Sequence, residues 1–379
     1  MKILGIETSC DETAVSIVEA KGDLKSLNFK VLGSAINSQI KIHEPYGGVV
    51  PNLAKREHQK NLPIVLEEAL KKAVLDLSKI DLITVTVGPG LEPALWTGIT
   101  FAEELGKKWN IPVIPANHME GHIASVLLNK NEQLNFPILA LLISGGHTEL
   151  IFLKSWLEKE KIGETQDDAV GEAFDKVARM LGLSYPGGPE ISRLAEIART
   201  KNINLETKFP RPMMHSKDFN FSFSGLKTAV LYYLRKNHKQ RPREQLSERD
   251  WRESEEIFQQ KNTPVVREDL ASDFFTEKLL VAREFEDAVI EVLVSKTKVA
   301  IEKYWPKTLI IGGGVIANKA LRENFLKLKE NYPELEILIP EKSLTTDNGT
   351  MIALAGFIEY LRNKKPTEKL KAQGNLDID

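Results

Sequence analysis

The chain has 379 residues, of which 42% are hydrophobic and 27% charged, the balance of a soluble globular protein long enough for two domains. Its formal net charge of −2 excludes a chain-wide nucleic-acid-binding surface, and the absence of any apolar run of about 18 residues predicts no membrane span. Cys10 is the only cysteine, which excludes internal disulfides and a cysteine-rich zinc site and fits a reducing, cytoplasmic setting.

The first part of the sequence predicts alternating strands and helices. A strand over residues 2–6 meets an acidic residue at once and lacks the apolar segment and cleavage site of a signal peptide. A polar turn follows, and then a second apolar strand over residues 14–18. Apolar residues at helical spacing predict a helix over residues 53–74. The next predicted elements are a strand over 81–87, a helix over 97–109, a strand over 111–114 and a helix over 118–128.

The strand–turn–strand pattern then repeats. Apolar segments at 138–143 and 150–153 flank a polar turn, so that Glu12-Thr13 of the first turn matches His147-Thr148 of the second. An internal repeat of about half the chain predicts two similar lobes that face one another. The later predicted elements are a helix over 171–181, a helix opened by the turn at 186–189, a strand over 308–311, a helix near 318–328 and a closing helix over about 349–360.

The order of elements predicts an α/β fold with three parts. We expect an N-terminal lobe over residues 1–130 and a C-terminal lobe over 131–345. The polar, charged segment near 239–266 is interpreted as an insertion in the second lobe. Residues 346–379 are expected to form the closing helix and a tail that crosses back toward the N-terminal lobe.

Two histidines, His118 and His122, lie on one face of the predicted helix over 118–128. At this spacing their imidazoles can share one metal ion. A metalloprotease helix places its catalytic glutamate directly after the first histidine, whereas Glu120 comes one position later and faces roughly the opposite side. The pair therefore predicts a metal site without a protease base. The alternative is two surface histidines that bind no metal.

Glycine-rich turns follow two of the predicted buried strands, at 144–146 and 312–314. Without a Cβ, such a backbone can approach a phosphate and point its N–H groups at the anion. A tight turn after a strand can also need glycine for steric reasons alone. The sequence contains neither a P-loop nor a strand-linked dinucleotide-binding fingerprint.

These motifs belong to a larger set of specific segments in a fixed order. The segments are GIETSCDET at 5–13, YGGVVP at 46–51, GPGL at 88–91, HMEGH at 118–122, SGGHT at 144–148, GEAFDK at 171–176, YPGGP at 185–189, FSFSGLK at 221–227 and GGGV at 312–315. Along almost its entire length the chain resembles the TsaD family, also called Gcp, of bacterial proteins that make threonylcarbamoyladenosine in tRNA.

The resemblance implies a fold and an activity. The family fold is the duplicated, two-lobe actin-like and sugar-kinase-like ATPase fold, which agrees with the predicted repeat. Members are expected to move a threonylcarbamoyl group from threonylcarbamoyl-AMP to the exocyclic amine of adenosine 37 in tRNAs that read ANN codons, with release of AMP. Bacterial relatives work with a paralogous subunit of the same fold and with a small ATPase, so both are expected partners.

The resemblance also implies roles for individual residues. His118, His122 and Asp347 would hold one divalent metal ion, Fe²⁺ in preference to Zn²⁺, and would leave positions open for substrate oxygens. Asp175 and Gly188 would hold the ribose of the donor. The remaining substrate residues by resemblance are Ile143, Ser144, Gly145, Gly146 and His147 along the phosphate and acyl portion and Asn318 at the nucleotide.

Asp11 is the predicted catalytic residue. The adenosine amine is a weak nucleophile that must lose a proton, and Asp11 lies in the first polar turn, opposite the turn of the second lobe. We expect it to act as the base or to position the amine. An equally simple interpretation is a carboxylate that caps the turn.

A basic block over residues 199–243 contains eleven Lys or Arg against two acids. Such a block can contact a phosphate backbone or be a solvated surface. Given the resemblance, Lys217 and Lys227 are expected to contact tRNA. The phenylalanines that alternate at 219, 221 and 223 could stack on a base, but their alternation is typical of a half-buried strand, and we interpret them as core.

Other interpretations of the chain keep the same two lobes. A phosphotransferase of the actin or sugar-kinase type would share the phosphate turns but would have no use for His118, His122 and Asp347. A non-catalytic scaffold paralogue would be expected to have lost those residues, which this chain keeps.

Overall fold

A computed structural model describes residues 1–128, 134–238, 270–363 and 369–378. The predicted charged insertion near 239–266 lies outside these described residues. The division into lobes at residues 130 and 345 stays a prediction.

Two five-stranded sheets share one topology. The first sheet has the order β3-β2-β1-β4-β5 and consists of β1 (Lys2–Glu7), β2 (Glu12–Asp23), β3 (Ser26–Ser38), β4 (Leu82–Gly88) and β5 (Val113–Asn117). The second has the order β10-β9-β6-β7-β8 and consists of β6 (Ile138–Ile143), β7 (Thr148–Ser155), β8 (Glu158–Glu164), β9 (Thr308–Gly312) and β10 (Glu336–Leu338). In each sheet the first strand pairs antiparallel with the second and parallel with the fourth. The structure therefore confirms the predicted duplication.

The helices cover both sheets and fill the space between them. Those that precede the second sheet are α1 (Ile40–His43), α2 (Pro51–Ala73), α3 (Glu92–Trp109) and α4 (His118–Ala124). Those that follow are α5 (Val170–Met180), α6 (Gly187–Thr200), α7 (Ser224–His238), α8 (Leu270–Tyr304), α9 (Lys319–Leu326), α10 (Leu328–Asn331) and α11 (Gly349–Asn363). None of these helices combines the length and the apolarity needed to cross a bilayer.

The central strands are apolar on both faces because each face packs against a different core. In β6, Leu139 and Leu141 face a core shared with α5, α6, α7 and α8. The alternate residues Ile138 and Ala140 face a second core between the two sheets, together with residues of α4 and α11. In β1, Leu4 and Ile6 face a third core with α2 and α3. This alternation follows from the two-residue side-chain period of a strand.

Helix α11 packs directly against the first sheet, where it contacts β1, β2, β4 and β5, and against α4. Glycines allow this approach. A Cβ on Gly5 of β1 would lie 2.1 Å from the carbonyl oxygen of Gly349, and a Cβ on Gly349 would lie 2.6 Å from the backbone nitrogen of Ser16. The backbones of α11 and β1 are therefore in near contact, which fixes the position of the residues just before the helix.

Several predicted elements differ in detail from the observed ones. The predicted helix over 118–128 is α-helical only to Ala124 and continues as a 3₁₀ turn over Ser125–Leu127. Helix α3 begins at Glu92 rather than near 97, with a proline in its first turn, a position that suits a residue without an N–H. The segment at 219–223, whose alternation is typical of a half-buried strand, contributes only an isolated bridge, between Phe221 and Thr165. The three phenylalanines of that segment are buried, as their interpretation as core requires.

The tail over residues 369–378 returns to the first sheet. The backbone N–H of Gln373 donates to the carbonyl of Val87, and that of Gly90 donates to the carbonyl of Gly374. Further along, the carboxylate of Asp377 forms an ion pair with Lys161 of β8 at 2.9 Å. The tail thus connects the end of β4 with the second sheet.

Replacement of Gly5 with Ala tests the contact between α11 and β1. The new Cβ would meet Gly349 at 2.1 Å, so we expect the free energy of unfolding to fall by about 2–3 kcal/mol because the helix must move. The matched control is Gly48→Ala, where a Cβ would have no heavy atom within 4 Å and the change should stay within about 0.5 kcal/mol. Urea denaturation measures both, and equal stabilities of the two variants would contradict the close-contact interpretation.

Glu149 of β7 should make stability depend on pH. Burial raises the pKa of Glu149 to about 7, against the opposing effect of Lys161, whose Nζ lies 3.9 Å away. The unfolded carboxyl has its ordinary pKa of 4.5, so the folded protein retains a proton that the unfolded chain releases. The free energy of unfolding should therefore fall as pH rises from about 4.5 to about 7.

Glu149→Gln preserves the neutral form at every pH. We expect it to match the wild type below about pH 4.5 and to be more stable by about 3 kcal/mol above pH 7. Chemical denaturation across this pH range measures the difference. The control is Glu67→Gln, an exposed carboxylate on α2, which should show no such change. If the difference in the free energy of unfolding between Glu149→Gln and the wild type is the same at every pH, the folded protein does not retain this proton on Glu149.

Candidate functional site

The metal-type histidines open a short helix at the end of β5. The side chain of Asn117 accepts hydrogen bonds from the backbone N–H groups of Met119 and Glu120, which caps the helix so that it begins at His118. His118 and His122 are both buried and lie on the face of α4 that points toward Asp347. The predicted pairing of the two histidines on one helical face is therefore present.

Asp347 completes a group of three candidate ligands. Its Oδ1 atom lies 3.4 Å from the Nε2 atom of His118 and 3.4 Å from the Nε2 atom of His122. All three ligand atoms lie within 4.8 Å of one another. Two ligands about 2.1 Å from a tetrahedral ion are roughly 3.4 Å apart, so the carboxylate stands at a suitable separation from each imidazole.

The donor atoms of this group suit a cation. Among the residues that the structure describes, neither ring nitrogen of His122 has a hydrogen-bond partner, although both nitrogens are buried. A buried polar nitrogen without a partner destabilises the folded protein unless an ion or another polar group binds it. A buried imidazole lone pair beside a carboxylate fits Zn²⁺ or Fe²⁺. The chain can therefore hold a metal ion at His118, His122 and Asp347.

Glu7 orients His118. One carboxylate oxygen of Glu7 lies 3.1 Å from the Nδ1 atom of His118 and accepts a hydrogen bond from Thr86 at 2.6 Å. The other oxygen accepts a hydrogen bond from the backbone N–H of Ser9. Because a carboxylate only accepts, the Nδ1 atom of His118 carries a proton, and a metal ion would bind at Nε2 in place of the proton there.

The electrostatics of the group favour an ionised carboxylate. Burial opposes the charged form of His118, but the carboxylates of Asp347 and Glu7 outweigh it and raise the pKa of His118 to about 9. Burial likewise opposes ionisation of Asp347, yet His118 and His122 lower the pKa of Asp347 to about 2. Burial lowers the pKa of His122, which favours the neutral ring that a metal requires.

The β6–β7 turn brings His147 to the same place. The turn is closed by hydrogen bonds between Ser144 and His147, from each backbone N–H to the other residue. Burial and the nearby histidines of α4 lower the pKa of His147 to about 4, so its ring is neutral. A Cβ on Gly145 or Gly146 would meet no heavy atom within 4 Å. The turn therefore borders open space, as a substrate-binding turn must.

The β1–β2 turn contributes an acidic pair. Asp11 is buried, and its side chain is hydrogen-bonded to that of Glu12. Burial, then Asp11, then Asp347 raise the pKa of Glu12 well above its usual range. The protonated form of Glu12 is therefore favoured beside Asp11.

The second lobe faces this turn with Asp175 and Tyr185. Burial raises the pKa of Asp175, and the nearby Asp11 raises it further. Burial, Asp11 and Asp175 likewise raise the pKa of Tyr185. One oxygen of Asp175 accepts a hydrogen bond from the backbone N–H of Gly187 at 2.7 Å. A Cβ on the adjacent Gly188 would meet no heavy atom within 4 Å. Asp11 of the first lobe therefore lies near Asp175 and Tyr185 of the second, and we call the space between them the cleft.

Other predicted residues already have partners within the protein. The side chain of Asn318 caps α9 by accepting from Leu321, and its amide nitrogen donates to the buried carboxylate of Glu286. Lys227 forms an ion pair with Asp168, while Lys217 is exposed. Ile143 is fully buried at the end of β6. Among the predicted site residues, His147, Asp11 and Asp175 thus lie near the metal group. The positions of Lys217 and Lys227 give less support to their predicted role in tRNA binding.

Two acidic residues of the site were missed by sequence reasoning. Glu7 ends a buried apolar strand, and a charged residue at such a position signals a site that uses the charge. Glu12 adjoins Asp11 in the same turn. Both signals were present in the sequence, but the contacts of Glu7 with His118 and of Glu12 with Asp11 depend on the tertiary structure.

A family model matches most of the chain. The model of the TsaD family, described as tRNA N6-adenosine threonylcarbamoyltransferase, matches residues 30–354. The chain belongs to the TsaD family. A protein of that same description from Thermosipho africanus is 42% identical over 378 residues, which is 100% of both chains. Another from Bacillus cereus is 43% identical and covers 100% of this chain and 96% of its own.

Solved structures agree on the fold. HypF from T. kodakarensis is 12% identical, with a TM-score of 0.57 over 96% of this chain and 48% of its own. A full-length HypF in a phosphate- and nucleotide-bound form is 13% identical, with a TM-score of 0.50 over 96% of this chain and 46% of its own. The likeness confirms the duplicated actin-like and sugar-kinase-like ATPase fold.

Family membership settles the class of reaction. As a TsaD-family protein the chain is an enzyme, a transferase of the acyl type that modifies tRNA by placing a threonylcarbamoyl group on the N6 atom of adenosine. The site described above contains acids, a neutral histidine and a metal-binding group, which suit group transfer between bound substrates.

Glu7→Gln and Asp347→Asn test the metal group. Asp347→Asn removes the anionic ligand and should abolish tight Zn²⁺ binding, measured by competition with a chromophoric chelator. Glu7→Gln leaves all three ligands but weakens the orientation of His118, so we expect affinity to fall about 10- to 100-fold. The control Glu104→Gln, exposed on α3, should bind as the wild type does. Wild-type affinity in Glu7→Gln would show that Glu7 does not orient the ligand.

Proposed function

We propose that the chain transfers the threonylcarbamoyl group from threonylcarbamoyl-AMP to the N6 atom of adenosine 37 in tRNAs that read ANN codons, with release of AMP. The observation that carries the proposal is the convergence of His118, His122 and Asp347 in a cleft that also contains Asp11 and His147. A phosphotransferase of this fold has no use for that group of three ligands.

The donor would lie along the second lobe. Its phosphate and acyl portion would follow the β6–β7 turn, from Ile143 through Ser144, Gly145 and Gly146 to His147, where the glycines leave room. Its ribose would bind near Asp175 and Gly188, and its base near Asn318. Because Asn318 already caps α9, we expect it to support the nucleotide pocket mainly by fixing the backbone there.

The transfer step moves one proton and one acyl group. The N6 amine attacks the carbamoyl carbon, the bond from that carbon to the phosphate oxygen breaks, and AMP leaves. Asp11, which lies in the β1–β2 turn beside Glu12, would accept the proton from N6. A divalent metal ion, Fe²⁺ or Zn²⁺, supplies Lewis-acid charge stabilisation at this site when bound. Glu7 would keep His118 in the orientation that the ion requires.

The proposal extends to partners and location. We propose that tRNA contacts include Lys217, which is exposed, and Lys227, which must share its ion pair with Asp168. A paralogous subunit of the same fold and a small ATPase would assist in a cytoplasmic complex. The family name supports tRNA as the substrate.

Reconstitution tests the function directly. The chain, with candidate partner proteins, is incubated with threonylcarbamoyl-AMP and an unmodified tRNA transcript that carries adenosine 37. We expect threonylcarbamoyladenosine in the nucleoside digest by mass spectrometry, and loss of it when position 37 is a guanosine. Hydrolysis of ATP without tRNA, and no modified nucleoside, would instead support a phosphotransferase.

Asp11→Asn tests the proposed base. We expect the transfer rate to fall by a factor of about 100 or more, because a general base contributes roughly 10²- to 10⁴-fold. Binding of AMP, measured by calorimetry, should be unchanged. Glu12→Gln retains a neutral side chain where the wild type holds a proton and should reduce the rate less. Unchanged turnover in Asp11→Asn would remove Asp11 from the mechanism.

A further inference from the structure

The 44–50 loop, residues 44–50 between α1 and α2, lies beside α5 of the second lobe. It contains a 3₁₀ turn over Glu44–Tyr46, closed by Gly47 at a φ of 67°. A Cβ on Gly47 would lie 4.0 Å from the Cζ atom of Arg179. Arg179 belongs to α5 in the second lobe, one helical turn after Asp175 and on the same face. The loop and Arg179 therefore meet beside the wall that carries Asp175.

The loop is held in one position by a buried chain of hydrogen bonds. The backbone N–H of Val50 donates to the Nδ1 atom of His43 at 3.3 Å, and the Nε2 atom of His43 donates to the side-chain oxygen of Gln39 at 3.1 Å. The amide nitrogen of Gln39 donates to the Nδ1 atom of His58 at 3.3 Å. The Nε2 atom of His58 then donates to the carbonyl of Cys10 at 3.0 Å.

The groups at the two ends of this series of hydrogen bonds determine which partner donates in each bond. The N–H of Val50 can only donate and the carbonyl of Cys10 can only accept, so both imidazoles between them are neutral, each with its proton on Nε2. His43, Gln39 and His58 are all fully buried. The 44–50 loop is thereby joined to the turn that carries Asp11, and the two keep a constant separation.

The exposed side of this region is basic and aromatic. Tyr46 is 62% exposed although its loop is anchored. The exposed cations Lys41, Lys55 and Arg56 flank the loop on α1 and α2, and exposed Arg179 faces it from the second lobe, against one exposed acid in the loop itself. This charge contrasts with the acidic residues inside the cleft.

We propose that Tyr46 and Arg179, from opposite lobes, form a clamp for the anticodon loop of tRNA, with Tyr46 stacking on an unstacked base and Arg179 binding the adjacent phosphate. The inference rests on the proposed function, because it takes tRNA as the substrate. An exposed aromatic held on a rigid loop is the surface on which single-stranded bases stack. A guanidinium beside it supplies the phosphate contact.

The clamp defines a different tRNA surface from Lys217 and Lys227. It lies on the two walls that enclose Asp11 and Asp175, so a nucleotide held there lies next to the adenosine that enters the cleft. Tyr46 and Arg179 are then specificity residues for the loop that flanks the reacting base. The hydrogen-bond chain from Val50 to Cys10 sets the distance between the flanking base and the Asp11 turn.

The test measures binding of a 17-nucleotide anticodon stem-loop RNA and of the full tRNA transcript to the full chain, by filter binding at several salt concentrations. Tyr46→Ala should weaken binding roughly 5- to 100-fold, as expected for loss of one base stack, whereas Tyr46→Phe should stay within about twofold. Arg179→Ala should reduce the slope of log affinity against log salt by about 0.7. Arg179→Glu should weaken binding further.

The matched controls are Trp305→Ala and Lys307→Ala. Trp305 is 77% exposed and Lys307 is exposed, and both precede β9, at the end of the second sheet away from the cleft. They should bind RNA as the wild type does. Binding of AMP, measured by calorimetry, should be the same in every variant, which shows that the donor site is intact. If Tyr46→Ala and Arg179→Ala bind RNA like these controls, the clamp is wrong.

The outcome separates the clamp from the proposed function. Modified nucleoside produced by the wild type, together with wild-type RNA binding in Tyr46→Ala, overturns the clamp and leaves the function standing. Conversely, RNA binding that depends on Tyr46 but yields no modified nucleoside under reconstitution overturns the function and leaves the clamp as an RNA-binding surface.

Discussion

The near contact of α11 with β1 is the constraint on which the site depends. Gly5 and Gly349 let two backbones approach so closely that no side chain fits between them. Asp347 lies just before α11, and Asn348 caps the helix by accepting from the N–H of Met351. The carboxylate therefore reaches the imidazoles of α4 only because the helix behind it is pressed against the first sheet. The metal group is a consequence of helix–sheet packing.

Burial explains the chemistry of the cleft. Because water is largely excluded there, each charge is controlled by its neighbours, and the pKa of one carboxyl, Asp347, falls while that of another, Glu12, rises. The same burial keeps His122 and His147 neutral. An interior with ionised, protonated and neutral groups side by side can bind a cation and accept a proton within one small volume.

The duplicated fold supplies the two walls. In both sheets the first strand ends at the cleft and turns back antiparallel, so the turn after β1 and the turn after β6 face one another. One turn carries acids and the other carries glycines and a histidine. In the reaction that we propose, the first wall serves proton transfer and the second binds the phosphate and acyl groups of the donor. The basic rim around Tyr46 and Arg179 adds a surface suited to a polyanion.

Local patterns in the sequence determined the elements, the repeat and the face shared by His118 and His122, because side-chain periodicity reports which residues lie on one face. They also carried the resemblance that named Asp347 as a ligand. Periodicity did not give the ends of α3 and α4 or the loop at Phe221, where capping and core packing override local preference. Only the tertiary structure decided the contact of Glu7 with His118 and the approach of Gly47 in the 44–50 loop to Arg179. Such contacts join segments far apart in the chain, and their distances depend on how helices and sheets pack, which no local pattern encodes.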